Sequence, residues 1–414
     1  MENKKADIWP FSGRENVVPE SESYKRIPTI GRDETSPDGY LTPSDLAAAV
    51  NVALTLGMPL LLTGEPGCGK SQLARRIAWE LDFPKHAKGD KYPEPLKFTV
   101  KSTTEARDLF YVYDTVGRFH AAQFAKERND NQDEESITNG QNSEGPSSAD
   151  RPENFIEYQA LGRAILLSKG RNQIPAGVVN DAVKEKYYPK EKIKSVVLID
   201  EIDKAPRDVP NDILTEIDEL RFTVKELQGL ANNEIKLEEE DKQYRPVIII
   251  TSNGERDLPD AFLRRCVYYH VPFPSFKSDI EKESTTNQSS NSVTEVTVES
   301  IVESRLGDRF EDKPLLLDQS ISLFKSLRKE SEGDLPGQDK PGRAPSMAEL
   351  LKWLYCVEKV WFRDSADERP DLLMLSDHEI IETARVSLLK TKADQDAGEK
   401  IIQEWLNKQR NTKR

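Results

Sequence analysis

The stretch that most constrains this fold is GEPGCGKS, residues 64–71. It lies between a short apolar run, MPLLLT, and QLARRIAWEL, where Leu73, Ile77 and Leu81 recur at helical spacing. The stretch matches G-x-x-x-x-G-K-S/T through Gly64, Gly69, Lys70 and Ser71. From average composition, a chance match in a chain this long has a probability of about one or two per cent. A strand that runs into a glycine loop and then a helix is the context the pattern needs. Without Cβ atoms in the way, backbone N–H groups converge on phosphate oxygens, and the helix N-terminus adds a favourable dipole. On this reading Gly64, Glu65, Pro66, Gly67, Cys68 and Gly69 form a phosphate cradle. Lys70 would reach the β- and γ-phosphates, and Ser71 would hold Mg2+.

A magnesium-bound nucleotide also needs a carboxylate at the end of a neighbouring strand. SVVLIDEIDKAP supplies it: Asp200 ends the apolar run and would bind Mg2+ directly or through water. Glu201 follows and could polarise the attacking water. PVIIITSN brings Asn253 to the end of another apolar run, where it could orient groups near the γ-phosphate. Arg264 and Arg265 follow in LPDAFLRRC, and arginine suits the charge of a transferring phosphoryl group.

Apolar strand candidates at MPLLLT, KFTV (97–100), SVVLID (195–200), PVIIIT (246–251) and VYYHV (267–271) alternate with helical patterns. That order predicts an α/β fold with a parallel sheet covered on both faces. A helix is expected from Thr42 and Pro43, with Leu46, Val50, Ala53 and Leu54 on one face, and another through DVPNDILTEIDEL. Residues 1–40 read as a flexible arm, 129–154 as a polar disordered insert and 273–296 as a polar linker. The core domain spans 41–272. From 297 to 414 the pattern is helical, as in SISLFKSLRKE, SMAELLKWLYCVEKVWF, DHEIIETARVSLLK and GEKIIQEWLNKQ. Trp353, Trp361 and Trp405 are expected in the core of that smaller domain.

The net charge of −14 argues against bulk attraction to nucleic acid or anionic membranes. KEKYYPKEKIK (184–194) interleaves lysine and tyrosine, but its glutamates favour a solvated connector. Cys68, Cys266 and Cys356 show no disulfide or zinc spacing, which suits a reducing compartment. No histidine shows metal-ligand spacing with them; His120 reads as structural, and Glu219 as an exposed carboxylate. With no signal-like or membrane-spanning run, a cytoplasmic location is expected.

The order of these features resembles the AAA+ ATPases: a P-loop NTPase parallel sheet sandwiched by helices, followed by a smaller helical lid. GEPGCGKS resembles Walker A and VVLIDEID Walker B, with Asn253 as sensor 1 and Arg264–Arg265 in the arginine-finger region. GEPGCGKSQLAR, KSTTEARDLFYVYDTVGRFHAAQ, LIDEIDKAPRDVPNDILTEIDE and LPDAFLRRC are most similar to the MoxR-type proteins of the helix-2-insert clade. The long interval between Lys70 and Asp200 leaves room for that insert. Arg264 stands where this type has an acidic residue, so Arg265 is taken as the finger and Arg264 as its alternative. In GRAPSMAELLKW, Ser346 stands at the usual sensor 2 arginine, and Arg343 is the candidate substitute.

What the resemblance implies is an ATPase using ATP and Mg2+, arranged as a homo-hexameric ring with the finger acting in trans. It also implies chaperone-like remodelling of a protein, often with a partner carrying a von Willebrand factor A domain. Two alternatives are a nucleic-acid-directed AAA+ motor and a low-turnover nucleotide switch.

Overall fold

The computed structural model describes residues 36–85, 91–130, 151–228, 233–280, 295–331, 342–362 and 370–412, with backbone only for 125–130. The expected arm at 1–40, insert at 129–154 and linker at 273–296 fall largely outside these residues. The chain divides into two compact units. An α/β unit comprises Asp45–Gly64 and Lys70–Val271. A helical unit comprises Pro272–Arg414, Glu65–Gly69 and the described part of Met1–Ser44.

The α/β unit is built on five parallel strands: β1 (Leu60–Thr63), β2 (Leu96–Thr99), β3 (Val196–Asp200), β4 (Val247–Thr251) and β5 (Val267–His270). Their order across the sheet is β2-β3-β4-β1-β5. Every residue of β3 and β4 is buried, as continuous runs of branched apolar residues require when both faces of a sheet are covered. Helix α1 (Ser44–Leu56) precedes β1, and α2 (Lys70–Glu80) follows the glycine loop. On α2, Leu73, Ala74, Ile77 and Ala78 are buried on one side, whereas Leu81, expected on the same stripe, lies past the helix end and is exposed. The helix Ala160–Lys169 also packs on the sheet and is buried at every residue but Arg163.

Register fixes what stands at the C-terminal edge of this sheet. Ile199 pairs with Ile250, so Asp200 and Thr251 emerge side by side. Thr99 pairs with Asp200, and Leu62 with Thr251. The edge therefore gathers the ends of β1, β2, β3 and β4 around the start of α2.

Two small antiparallel pairs lie outside this sheet: Tyr111–Tyr113 with Ile156–Tyr158, and Arg221–Thr223 with Glu234–Lys236. Phe222 joins them to one core through Phe110, Tyr111 and Tyr158, with ring centroids 5.2, 6.4 and 6.1 Å away.

Two expectations change. The helix through DVPNDILTEIDEL is two short segments, Val209–Asp212 and Leu214–Glu219. Ile213 between them sits at φ −85° and ψ −4°. Ile213, Leu214 and Ile217 are all buried in the core on either side of that break. The stretch 184–194 is not only a solvated connector. Its first residues end the helix Asp181–Tyr187, and the next residue, Tyr188, is buried among the core side chains while Tyr187 is exposed.

In the helical unit, the helices Val298–Phe310, Pro314–Ser331, Met347–Val357, Asp377–Leu388 and Lys392–Thr412 surround a second core. Thr297, Ser346 and Ser376 close capping boxes at three of their N-termini. Trp353 and Trp405 are buried in this core, and Trp361 packs half-buried against it. The helix expected to run through Phe362 passes into a π-helical turn at Glu358–Phe362. No helix among the described residues is long and apolar enough to cross a membrane.

Candidate functional site

At the C-terminal edge of the sheet, Asp200 is a hub. Its Oδ1 accepts hydrogen bonds from Ser71 Oγ and Thr251 Oγ1, each at 2.7 Å. Its Oδ2 pairs with the Lys97 ammonium at 2.7 Å. Burial by itself would raise the Asp200 pKa. Hydrogen bonds from Lys97, Thr251 and Ser71, together with the Lys97 charge, outweigh burial and hold the carboxyl below the ordinary aspartate value. Asp200 is therefore a carboxylate at neutral pH.

Ser71 and Asp200 are brought into direct contact although they stand far apart in the chain. A hydroxyl and a carboxylate are hard oxygen donors, and one or two such groups with phosphate oxygens and water make a typical Mg2+ site. The donor set fits Mg2+. Lys70, from the same first turn of α2, is buried and donates from Nζ to the Gly64 carbonyl at 2.8 Å.

Glu201 follows Asp200 in a left-handed conformation, with φ 62° and ψ 51°. A non-glycine residue there is strained and needs its surroundings to hold it. Its N–H donates to Thr251 Oγ1 at 3.0 Å. Its carboxylate accepts from Lys204 Nζ at 2.7 Å and from Asn253 Nδ2 at 3.4 Å. The hydrogen bond to Glu201 raises the Lys204 pKa, so that ammonium stays charged. Asp203 is 2% exposed, and its Oδ2 accepts from the N–H groups of Asn253 and Glu255 at 3.0 and 2.9 Å. That carboxylate fixes the turn on which Asn253 stands.

Ser71, Asp200, Glu201 and Asn253 thus share one connected network. Thr251, Lys97, Asp203 and Lys204 belong to it and were not singled out from the sequence. Thr251 could have been suspected as a polar end to an apolar run. Lys97 had no signal until the register of β2 against β3 was known.

Arg264 and Arg265 sit at the other edge of the sheet. They precede β5, whose first residue, Val267, pairs with Leu60 at the start of β1, whereas the glycine loop leaves from its end. The length of β1 alone, about 10 Å at 3.3 Å per residue, separates the two edges. Arg265 is tied down: its Nε donates to Asp218 at 2.8 Å and its NH1 to the Ala261 carbonyl at 3.2 Å. Arg264 is exposed, and its side chain has no hydrogen bond or ion pair among the described residues, although its N–H donates to the Asp260 carbonyl at 3.0 Å. Burial pushes the neighbouring Cys266 thiol up to about 12, which keeps it protonated and unreactive.

The helical unit holds Glu65–Gly69, the middle of the glycine loop. Gly67 and Gly69 have φ of +80° and +94°, a region that side chains disfavour. A Cβ on Gly67 would lie 2.8 Å from Ser346 Oγ. Cys68, half-buried and in no disulfide, lies in the same turn. Arg328, 3% exposed, stacks over the Phe273 ring at 3.3 Å and donates to the Pro345 carbonyl and to Glu65 Oε2, each at 2.9 Å. Arg343 is exposed and has no hydrogen bond or ion pair among the described residues. Within this unit the arginine that meets the loop is Arg328, a residue the sequence reading passed over.

The fold is an α/β parallel sheet with a strand–glycine loop–helix connection, and with serine and aspartate joined at its edge. No family model matches the chain. No curated protein matches it. Among solved structures the chain is similar to the structure of C. elegans PCH-2, at 16% identity over 98% of this chain and 72% of that one, with a TM-score of 0.28. A likeness at that score carries no argument about fold or activity, so the functional reading rests on the residues.

Proposed function

We propose that this chain is an AAA+ ATPase of the MoxR type, which binds ATP with Mg2+ and hydrolyses it to ADP and phosphate. The observation that carries the reading is the 2.7 Å hydrogen bond from Ser71 Oγ to Asp200 Oδ1. It joins the last residue of the glycine loop to the carboxylate that the chemistry requires. The strand order β2-β3-β4-β1-β5 supports the same reading, because it sets the Asp200 strand two places from the strand that feeds the loop.

The roles follow from the chemistry. The loop at 64–71 would cradle phosphates with its N–H groups, and Lys70 would exchange the Gly64 carbonyl for phosphate oxygens. Ser71 and Asp200 would hold Mg2+, which neutralises phosphate charge when bound. Glu201 would take the proton of the attacking water once it leaves Lys204, and Asn253 would orient both. Arg264 or Arg265 would stabilise the transferring phosphoryl group from a neighbouring chain. A homo-hexameric ring would supply that neighbour. Arg264 is the freer of the two, since leaving Asp218 is a cost that only Arg265 bears. Arg328 is better held against the loop than Arg343 for a role in sensing the nucleotide. Remodelling of a protein partner, including one with a von Willebrand factor A domain, belongs to this reading.

A low-turnover switch is the second reading, and the Glu201–Lys204 pair favours it, because the resting base is engaged.

Paired assays on Glu201→Gln separate the two readings. The variant should bind ATP as the wild type does, while phosphate release falls about a hundredfold or more, the usual contribution of a general base. Unchanged phosphate release would remove Glu201 from catalysis. Tight ATP binding by a wild type that releases no phosphate would favour the switch.

A further inference from the structure

The Lys97 ammonium stands where the proposed site needs a metal cation. Lys97 is on β2, the edge strand beside β3, and pairs in register with Leu198. Its side chain, half exposed, reaches the next same-face residue of β3, Asp200, and meets Oδ2 at 2.7 Å. Oδ1 is already filled by the Ser71 and Thr251 hydroxyls. Both oxygens of the one carboxylate at this strand end are therefore engaged, and the pair of Asp200 and Lys97 carries no net charge.

Electrostatics gives this arrangement a consequence. A divalent cation approaching Asp200 meets a monovalent cation already in contact with it. Hydroxyl donors can rotate aside without losing charge balance, but an ammonium cannot share Oδ2 with a metal ion without repulsion. Loading the site requires that the Lys97–Asp200 pair open. Half exposure of Lys97 means that water can receive the displaced ammonium, so the pair is a removable counter-ion and not a permanent one.

We propose that Lys97 is a resident counter-cation of the metal site, and that its displacement from Asp200 sets the divalent-cation concentration at which the nucleotide site loads. This rests on the reading of Ser71 and Asp200 as metal ligands. Lys97 is a positioning residue: its contact with Asp200 holds that carboxylate charged and oriented, and lowers the site's avidity for divalent ions.

The test is a Mn2+ titration of full-length protein at saturating ADP. Electron paramagnetic resonance follows the free-ion signal, against a blank of the same ADP without protein. Wild type, Lys97→Met and Lys97→Arg are compared, with circular dichroism spectra to establish that each is folded. In Lys97→Met the half-saturating Mn2+ concentration should fall about two- to fivefold, the range spanned by a partly exposed ion pair. Lys97→Arg keeps the charge and should stay near wild type. The difference between Met and wild type should narrow as salt is raised. A half-saturating concentration that is unchanged or higher in Lys97→Met, while wild type binds Mn2+ with ADP, overturns the counter-cation role and leaves the site assignment standing. Equal shifts in both variants would overturn it too, since the charge would not be the cause. Absence of protein-bound Mn2+ in all three proteins would overturn the assignment of Ser71 and Asp200, and this inference with it.

Discussion

At the end of β3, the Asp200 carboxylate meets the hydroxyls of Ser71 and Thr251 and the ammonium of Lys97. Thr251 also receives the Glu201 N–H, so one buried hydroxyl serves both neighbouring acids. Valine fills the same volume without those bonds. Thr251→Val should therefore destabilise the fold by about 1–3 kcal/mol, the cost of leaving buried polar groups unsatisfied, read as a lower midpoint in urea unfolding. An unchanged midpoint would mean that water or another donor replaces the hydroxyl. The phosphate-loop residues were legible in the sequence because that signal is local: eight consecutive residues carry the glycines, the lysine and the serine. Asp200 was legible because it ends an apolar run. Thr251, Lys97 and Asp203 were not, since their roles depend on which strands are neighbours and in what register. Arg328 was hidden for a similar reason, being one of several charged residues in the last turn of a helix, with partners that come from Phe273, Pro345 and Glu65.

Among the elements, continuous apolar runs gave away the strands of the parallel sheet. The type of β3 and β4 was legible because strands buried on both faces tolerate four branched apolar residues in succession. The segment 209–219 was misread because Ile213, Ile217 and Leu220 suit a regular helix. The break at Ile213 leaves all of these residues buried, so the apolar spacing that suggested one helix does not register it. Tyr188 was misread because its charged neighbours dominated the composition, although one residue in that stretch turns inward. In the helical unit the amphipathic stripe of Met347–Val357 was clear, and Trp353 on it is fully buried. Its indole N–H points to Thr383 Oγ1 at 3.5 Å. Trp353→Ala should cost about 3–5 kcal/mol, seen as an early unfolding transition in circular dichroism. A loss below about 1 kcal/mol would mean that the surrounding helices close over the cavity.

For the whole molecule, the proposed function turns on where the arginine pair lies. Arg264 and Arg265 lie across the sheet from Asp200 in their own chain, because Val267 pairs with the first residue of β1 and not the last. If one of this pair acts at the phosphates, as proposed above, it has to come from another copy, which is why the proposal includes a ring. The charge of −14 gives such copies no general attraction, so assembly has to rest on specific contacts and on bound nucleotide. Phosphate release from ATP, followed across a protein dilution series at saturating Mg2+, tests this account most directly. The account predicts a rate per chain that climbs with concentration and levels off as the assembly fills. A rate per chain that stays constant from the most dilute sample to the most concentrated, in a protein that remains monomeric with ATP bound, would contradict it.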